Sequence, residues 1–322
     1  MRLRYAEILS LLGLGLVLGV AGCGGSPSNG GQVTRSAAQT DRGTTSSASA
    51  PQGADSGSHV FVIVLENQAF GRVIGNPGVP FINRLADRGA LTARYFAITH
   101  PSLPNYLAIV GGSTFGIRSD CVKCSARGSN LALQLDRAGV SWRAYMEDMP
   151  KPCFLGGYAA SYAKKHDPFA YFPSITGDPQ ECANLVPGSR LYSDLRQNDL
   201  PAFSWFTPNL CNDGHDCGIA YADGYLKKLL PKVLPRLGPH GFLVLTFDEG
   251  VSKRGCCRVA HGGRIATVLV GPDVRRGARL NAAFDHYSLL RTLEDAFSLS
   301  HIRGAAGAKP IRSAFRRFPS LR

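Results

Sequence analysis

HVFVIVLEN (residues 59–67) and GFLVLTFDEG (residues 241–250) are two apolar runs that stop abruptly at acidic residues, Glu66-Asn67 in the first and Asp248-Glu249 in the second. Continuous apolar runs of this length, bounded by turn signals, are the pattern of strands buried on both faces of a parallel sheet. A charged residue at the end of such a strand is costly unless a cation or strong hydrogen bonds satisfy it. The carboxyl ends of parallel strands are also where open α/β sheets bind ligands. The two runs therefore predict a fold and the edge of that fold at which its chemistry takes place.

Outward from these runs, strand and helix patterns alternate. Strands are expected over residues 60–65, 91–96, 141–145, 202–206, 241–247 and 265–270, and helices over 81–87, 103–110, 131–138, 221–234 and 287–297, with Pro235 ending the fourth helix. Strands separated by helical patterns imply βαβ units with right-handed crossovers, hence an α/β domain with a mostly parallel sheet. Residues 146–188 are rich in Pro, Gly and aromatics and read as a long insertion able to wall a site.

The first 58 residues stand outside this pattern. Arg2 and Arg4 precede an apolar run from Ile8 to Ala21, and Val20-Ala21-Gly22-Cys23 has the small-residue form of a secretory cleavage site. This is the form of a bacterial lipoprotein signal: a leader over 1–22, then Cys23 as the acylated residue that anchors the protein to the outer face of the cell membrane. Residues 24–58 are dominated by Gly, Ser, Thr, Ala, Gln and Pro, a composition that predicts a disordered tether. The folded domain is expected over 59–300, and 301–322 reads as a basic tail.

Nine cysteines become eight when Cys23 is set aside. An even number in an exported chain favours disulfides, with 121–124, 153–182 and 211–217 as the sequence-near pairs and Cys256-Cys257 as either a vicinal pair or two partners for other loops. The spacing of Cys121 and Cys124 also suits a metal, although a structural zinc needs two further ligands. The formal charge is +13. A diffuse positive field attracts anionic surfaces and phosphorylated substrates, and no nucleic-acid-binding motif accompanies it, so specific nucleic-acid binding is not expected.

THPSLPNYLAIVGG (residues 99–112) places Ser102 between prolines and just before a helix. A serine there can attack a phosphorus or carbonyl centre, and free N–H groups of the first helical turn can hold anionic oxygens; a plain capping role is the competing reading. Glu66, Asn67, Asp248 and Glu249, with the Ser102 oxygen, would form an all-oxygen site for a hard divalent cation if their strands are neighbours. His166, His215 and His261 lie among Gly, Pro or Asp in loops, as ligands and proton-transfer groups often do. His100 is close enough to Ser102 in sequence to share its site, whereas His286 reads as a capping or packing residue.

VIVLENQAF, THPSLPNYLAIVGG, KHDPFAYF, FTPNLCNDGHDC, LTFDEG, HGGRIATVLVGP and FDHYSLLRTLEDAF, in this order from about His59 to Phe297, resemble the successive motifs of the bacterial phosphoesterase family that includes acid phosphatases and phospholipases C, a branch of the alkaline-phosphatase-like superfamily. The resemblance implies a three-layer α/β/α sandwich and Ser102 as a nucleophile that also contacts the metal. It further implies Glu66, Asn67, Asp248 and Glu249 as ligands of one divalent ion (Ca, Zn, Mg or Mn), His166 and His215 as phosphate-binding or proton-supplying groups, and Asn105 as a group orienting a phosphate oxygen. His261 could serve the metal, a substrate oxygen or only its loop. Two-zinc members carry an Asp-His pair where this chain has Asp248-Glu249, which speaks against a second metal. The expected activity is hydrolysis of phosphate monoesters. The alternatives are a phospholipase C-like diesterase and a lipoprotein that binds a phosphorylated ligand without turning it over.

Overall fold

The computed structural model describes residues 57–321. The expected leader, Cys23 and nearly all of the tether lie outside the described residues. The strands are β1 (Val60–Leu65), β2 (Ala90–Phe96), β3 (Trp142–Met146), β4 (Tyr158–Ala159), β5 (Tyr162–Ala163), β6 (Leu185–Pro187), β7 (Phe203–Thr207), β8 (Phe242–Phe247), β9 (Arg264–Val270) and β10 (Ala278–Asp285). The helices are α1 (Phe70–Val73), α2 (Pro80–Arg88), α3 (Ser102–Gly111), α4 (Leu131–Arg137), α5 (Pro173–Thr176), α6 (Pro179–Cys182), α7 (Ser189–Gln197), α8 (Ile219–Val233), α9 (His286–Ala296) and α10 (Gly304–Gly307).

Eight strands form one sheet in the order β10-β2-β9-β8-β1-β7-β3-β6, and β4 and β5 form a separate hairpin. Every pairing in the large sheet is parallel except those of β9, which runs against both β2 and β8. β1 lies between β8 and β7 with all six residues buried, as its unbroken apolar run requires. Helices cover the sheet as an α/β/α sandwich: α3 packs on α9 and α4 in one layer, and α2 packs on α8 in the other. Because parallel strands end on the same edge, Glu66 after β1, Asp248 after β8, Thr207 at the end of β7 and His286 after β10 are brought to one side of the molecule.

Three features differ from the expectation. β10 and the short edge strand β6 are strands that the apolar pattern did not announce: β10 reads ARLNAAFD, with most of its residues only partly buried, and β6 has three residues. The 146–188 insertion contributes β6 to the sheet and holds β4, β5, α5 and α6 besides. The C-terminal stretch is not a loose tail, since Ala305, Ile311, Ala314, Phe315 and Leu321 are buried in the main core and Phe315 meets Phe242 edge-on at 5.1 Å. Its apolar residues turn inward between cations that stay outside, Arg312 reaching Asp295 at 3.1 Å. Among the described residues no helix is long and apolar enough to cross a membrane.

A buried carboxylate joins α2 to α8. Asp223, on α8, accepts from the N–H of Phe81 at 3.0 Å and of Ile82 at 2.7 Å, satisfying two of the free donors at the start of α2, whose first residue Pro80 brings none. Asp223→Ala leaves those donors unpaired in the interior and is expected to lower unfolding free energy by about 1–3 kcal/mol. Urea denaturation should show an earlier midpoint with an unchanged slope.

Candidate active site

Glu66 stands at the centre of the site, and its carboxylate is fully buried. Oε2 accepts from Ser102 Oγ at 3.0 Å and from Asn67 Nδ2 at 2.8 Å, and Oε1 accepts from the Tyr106 hydroxyl at 2.7 Å. Ser102 and Tyr106 are four residues apart on α3, so one helical face delivers both hydroxyls to the same carboxylate. His166 lies 3.2 Å from Glu66 Oε1 through Nε2 and 3.3 Å from Asp213 Oδ2 through Nδ1, and its ring stacks on Tyr106 at 5.3 Å. Burial alone would raise the Glu66 carboxyl, but the facing charge of His166 and the Tyr106 hydrogen bond bring it down to about 2. Burial would likewise push the His166 ring down, and Glu66 and Asp213 together lift it to about 9. The two groups thus stand as a buried ion pair.

Asp248 faces this pair from β8. Its Oδ1 accepts from the Asn67 N–H at 2.8 Å, while Oδ2 is buried with no hydrogen-bond partner. Burial, followed by the charges of Glu66 and Glu249, raises its carboxyl well above the usual range. His286, at the start of α9, is fully buried and lies 2.6 Å from the Asp248 carbonyl oxygen through Nε2, which fixes the backbone that presents this carboxylate. The structure thus gives His286 a positioning role beyond the packing its sequence context suggested. Burial pushes the ring down to about 4, so it is neutral.

The remaining candidates separate. Glu249 Oε2 is held by His100 Nδ1 at 3.0 Å and by Asn105 Nδ2 at 3.2 Å, which brings His100 to the site margin. Asn105, expected to orient a phosphate oxygen, is engaged within the protein. Its Oδ1 accepts from the N–H groups of Ile98 and Thr99, and its Nδ2 also donates to the carbonyls of Thr99 and Pro101, so the side chain is consumed in shaping the 97–101 loop. His215 is exposed at 34% of its side chain, bonded to Asp216, with its ring 6.1 Å from that of His166. The His261 ring is exposed and, among the described residues, has no hydrogen-bond or ion-pair partner; its backbone N–H binds Ile98. The expectation of free N–H groups at the start of α3 also changes, because Leu103 N–H is taken by Asp120 at 2.9 Å and Pro104 has none.

Four residues of the site carried no signal of their own. Asp213 lies two residues before His215 and orients His166; Tyr106 shares the Ser102 face of α3. Lys165 precedes His166 and pairs with Asp120 at 3.3 Å, and Asp120 meets the α3 N-terminus. Helical spacing would have found Tyr106, and adjacency to a histidine would have found Asp213 and Lys165.

The donors suit one hard cation. Glu66, Asn67, Ser102 and Asp248 offer oxygen, and the unpartnered Asp248 Oδ2 is the orphaned buried atom that such an ion would satisfy. Asn67 turns its nitrogen rather than its oxygen toward Glu66, so ligation through Oδ1 requires the amide to rotate. Glu66, Asp248 and Glu249 do not gather into a trio within 4.8 Å; among the described residues that compactness belongs to Cys256, Cys257 and Asp285, where the sulfurs are joined in a disulfide. Cys121–Cys124, Cys153–Cys182 and Cys211–Cys217 are paired as expected, and Cys256–Cys257 takes the vicinal form.

Residues 76–300 match the model of the Phosphoesterase family, and the chain belongs to that family. It is 36% identical over 259 residues to the phosphatidylinositol-3-phosphatase of Mycobacterium tuberculosis, across 79% of this chain and 81% of that protein. It is 31% identical over 255 residues to a probable acid phosphatase of Kluyveromyces lactis, across 75% of this chain but only 58% of the longer relative. A solved protein of the alkaline phosphatase superfamily from Vibrio parahaemolyticus superposes with a TM-score of 0.54 at 15% identity, over 79% of this chain and 70% of that one, which supports the sandwich fold.

Tyr106→Phe removes one donor to Glu66 without changing the shape of α3. Loss of such a supporting hydrogen bond is expected to weaken divalent-ion binding or turnover by about 10–100-fold. Metal titration by calorimetry, beside a thermal melt that stays within a few degrees of wild type, checks this.

Proposed function

We propose that this chain is an exported enzyme that hydrolyses phosphate monoesters by in-line displacement, with Ser102 as the nucleophile. The observation that carries the reading is the Ser102 hydroxyl, 2% exposed and bonded to Glu66 at 3.0 Å, at the start of a helix and beside the buried His166 cation. The relatives named as acid phosphatase and phosphatidylinositol-3-phosphatase support a phosphoester substrate. Ser102 Oγ attacks phosphorus as its proton passes to Glu66 Oε2, the acceptor it is bonded to, and the bond to the ester oxygen breaks. His215, open to solvent, donates the proton that the departing alcohol needs. His166 and Lys165 supply positive charge to the equatorial oxygens of the reacting phosphoryl group. Water then attacks the phosphoseryl group, releasing phosphate and restoring the serine.

A divalent ion held by Glu66, Asn67, Ser102 and Asp248, with Glu249 at the margin, would lower the serine's pKa and polarise the ester. Ca, Zn, Mg and Mn all accept oxygen ligands. Export is supported by four disulfides, which persist in oxidising compartments, and by the leader-like sequence ending at Cys23, which supports an anchor on the outer face of the cell membrane.

Ser102→Ala is expected to fold normally and to lose on the order of a thousandfold or more in kcat on p-nitrophenyl phosphate. Chelation should abolish wild-type turnover and one divalent ion should restore it. Preference for bis-p-nitrophenyl phosphate would replace the monoesterase reading with a diesterase one, and full activity in Ser102→Ala would end the serine mechanism.

A further inference from the structure

We propose that the rim around the candidate active site is a docking surface for an anionic lipid bilayer. A corollary, resting on the phosphoesterase reading, is that phosphate esters held in that bilayer are substrates. Among the described residues the exposed large apolar side chains are Val122, Leu155, Tyr158, Tyr221, Val251 and Val259. All six stand on segments at the carboxyl edge of the sheet. Val122 lies in the loop whose carbonyl accepts from Lys164 at 3.0 Å, two residues from His166. Leu155 and Tyr158 flank Gly157, which packs against Val122 and whose carbonyl accepts from the Lys164 N–H. Val251 and Val259 lie on the connection between Glu249 and His261, whose Ser252 carbonyl meets His100 at 3.2 Å. Tyr221 is in the first turn of α8, directly after the loop that carries Asp213 and His215.

Exposed apolar residues scattered singly over a surface need no explanation; six gathered at one edge do. They stand on four separate segments beside the candidate site, an arrangement suited to a plane of lipid more than to a complementary protein face. Cations alternate with them: Lys123 beside Val122, Lys253 and Arg254 after Val251, and Arg258 before Val259, all exposed. Of the exposed acids nearby, Asp148 bonds Asn209 and Asp216 bonds His215. Apolar tips entering the headgroup boundary with Lys and Arg at lipid phosphates is the composition of an interfacial surface. Val122 lies inside the loop closed by Cys121–Cys124, and Leu155 and Tyr158 inside that closed by Cys153–Cys182, so these tips stand on cross-linked segments.

The test uses the full chain carrying Val251→Trp, with Arg88→Trp at the exposed end of α2 on the opposite edge as control. A tryptophan at 251 reports contact of the rim itself, whatever the N-terminal segment does. On mixing with phosphatidylglycerol vesicles, its emission should move to shorter wavelength and be quenched by a bilayer-embedded quencher, less so with phosphatidylcholine or in high salt, while the control stays unchanged. No change at 251, or equal changes at both positions, overturns the proposal. So does a rim that sediments as a dimer without responding to vesicles. The triple variant Tyr158→Ser, Val251→Ser, Val259→Ser should keep wild-type turnover of p-nitrophenyl phosphate and lose about tenfold or more on phosphatidate in vesicles, because interfacial binding scales with buried apolar area; equal turnover of both substrates overturns the corollary. If wild type hydrolyses neither substrate, the phosphoesterase reading falls, and the tryptophan signal still decides the docking surface.

Discussion

A carboxylate with no exposure at the end of the central strand sets the conditions for everything around it. Glu66 cannot be left uncompensated in the interior, and the chain surrounds it with two hydroxyls from one face of α3, an amide from Asn67 and a protonated imidazole from the insertion. Each of those groups is in turn held: His166 by Asp213, Asp213 by the N–H of His215, and the Glu66 N–H by the Asp213 carbonyl. The loop between β7 and α8 therefore closes a ring of contacts that starts and ends on β1. Ser102 is oriented by the same carboxylate that makes the site costly, so the stability of this corner and the placement of its hydroxyl are one problem.

The reversed strand β9 solves a second one. A sheet with parallel strands alone would return the chain from the carboxyl end of β8 to the opposite edge before the next strand began. Running β9 antiparallel lets residues 248–263 start and finish at the site edge, with Asp248-Glu249 at one end and His261-Gly262-Gly263 at the other. The far end then lies against the loop before Ser102: Gly262 N–H binds Ala97, and a Cβ on Gly262 would stand 2.3 Å from the Thr99 carbonyl oxygen. The glycines are there so that two backbones can touch.

What the sequence made legible follows from where energy is concentrated. β1 and β8 are unbroken apolar runs and their ends were visible, as was Ser102 at the head of an apolar helix. β10 was not, because an edge strand buries little: its pattern mixes exposed Arg279 and Asn281 with partly buried alanines, and its strand character comes from pairing with β2. The C-terminal stretch has the composition of a tail for a related reason, its cations outnumbering the Ile311, Phe315 and Leu321 that pack inward. Within the site, charged groups at strand ends were readable and the groups that satisfy them were not. Tyr106, Asp213 and Lys165 stand at readable spacings from Ser102, His215 and His166, but the contacts through which they act join segments far apart in sequence, and local pattern does not encode those.

The fate of Asn105 shows why residue type at a motif position does not settle a role. Three residues after Ser102, it points back across the helix start into a loop that must pass from β2 to α3 through His100 and Pro101. That loop carries buried N–H and C=O groups with no strand or helix to pair them, and one amide side chain satisfies four of them. Freeing Asn105 for another ligand would leave those groups unpaired beside Ser102. Its remaining bond, to Glu249, ties the same loop to β8. The residue thus fixes where Ser102 stands, and the neighbouring side chains whose donors are not spent on the backbone are Ser102, His166 and Lys165.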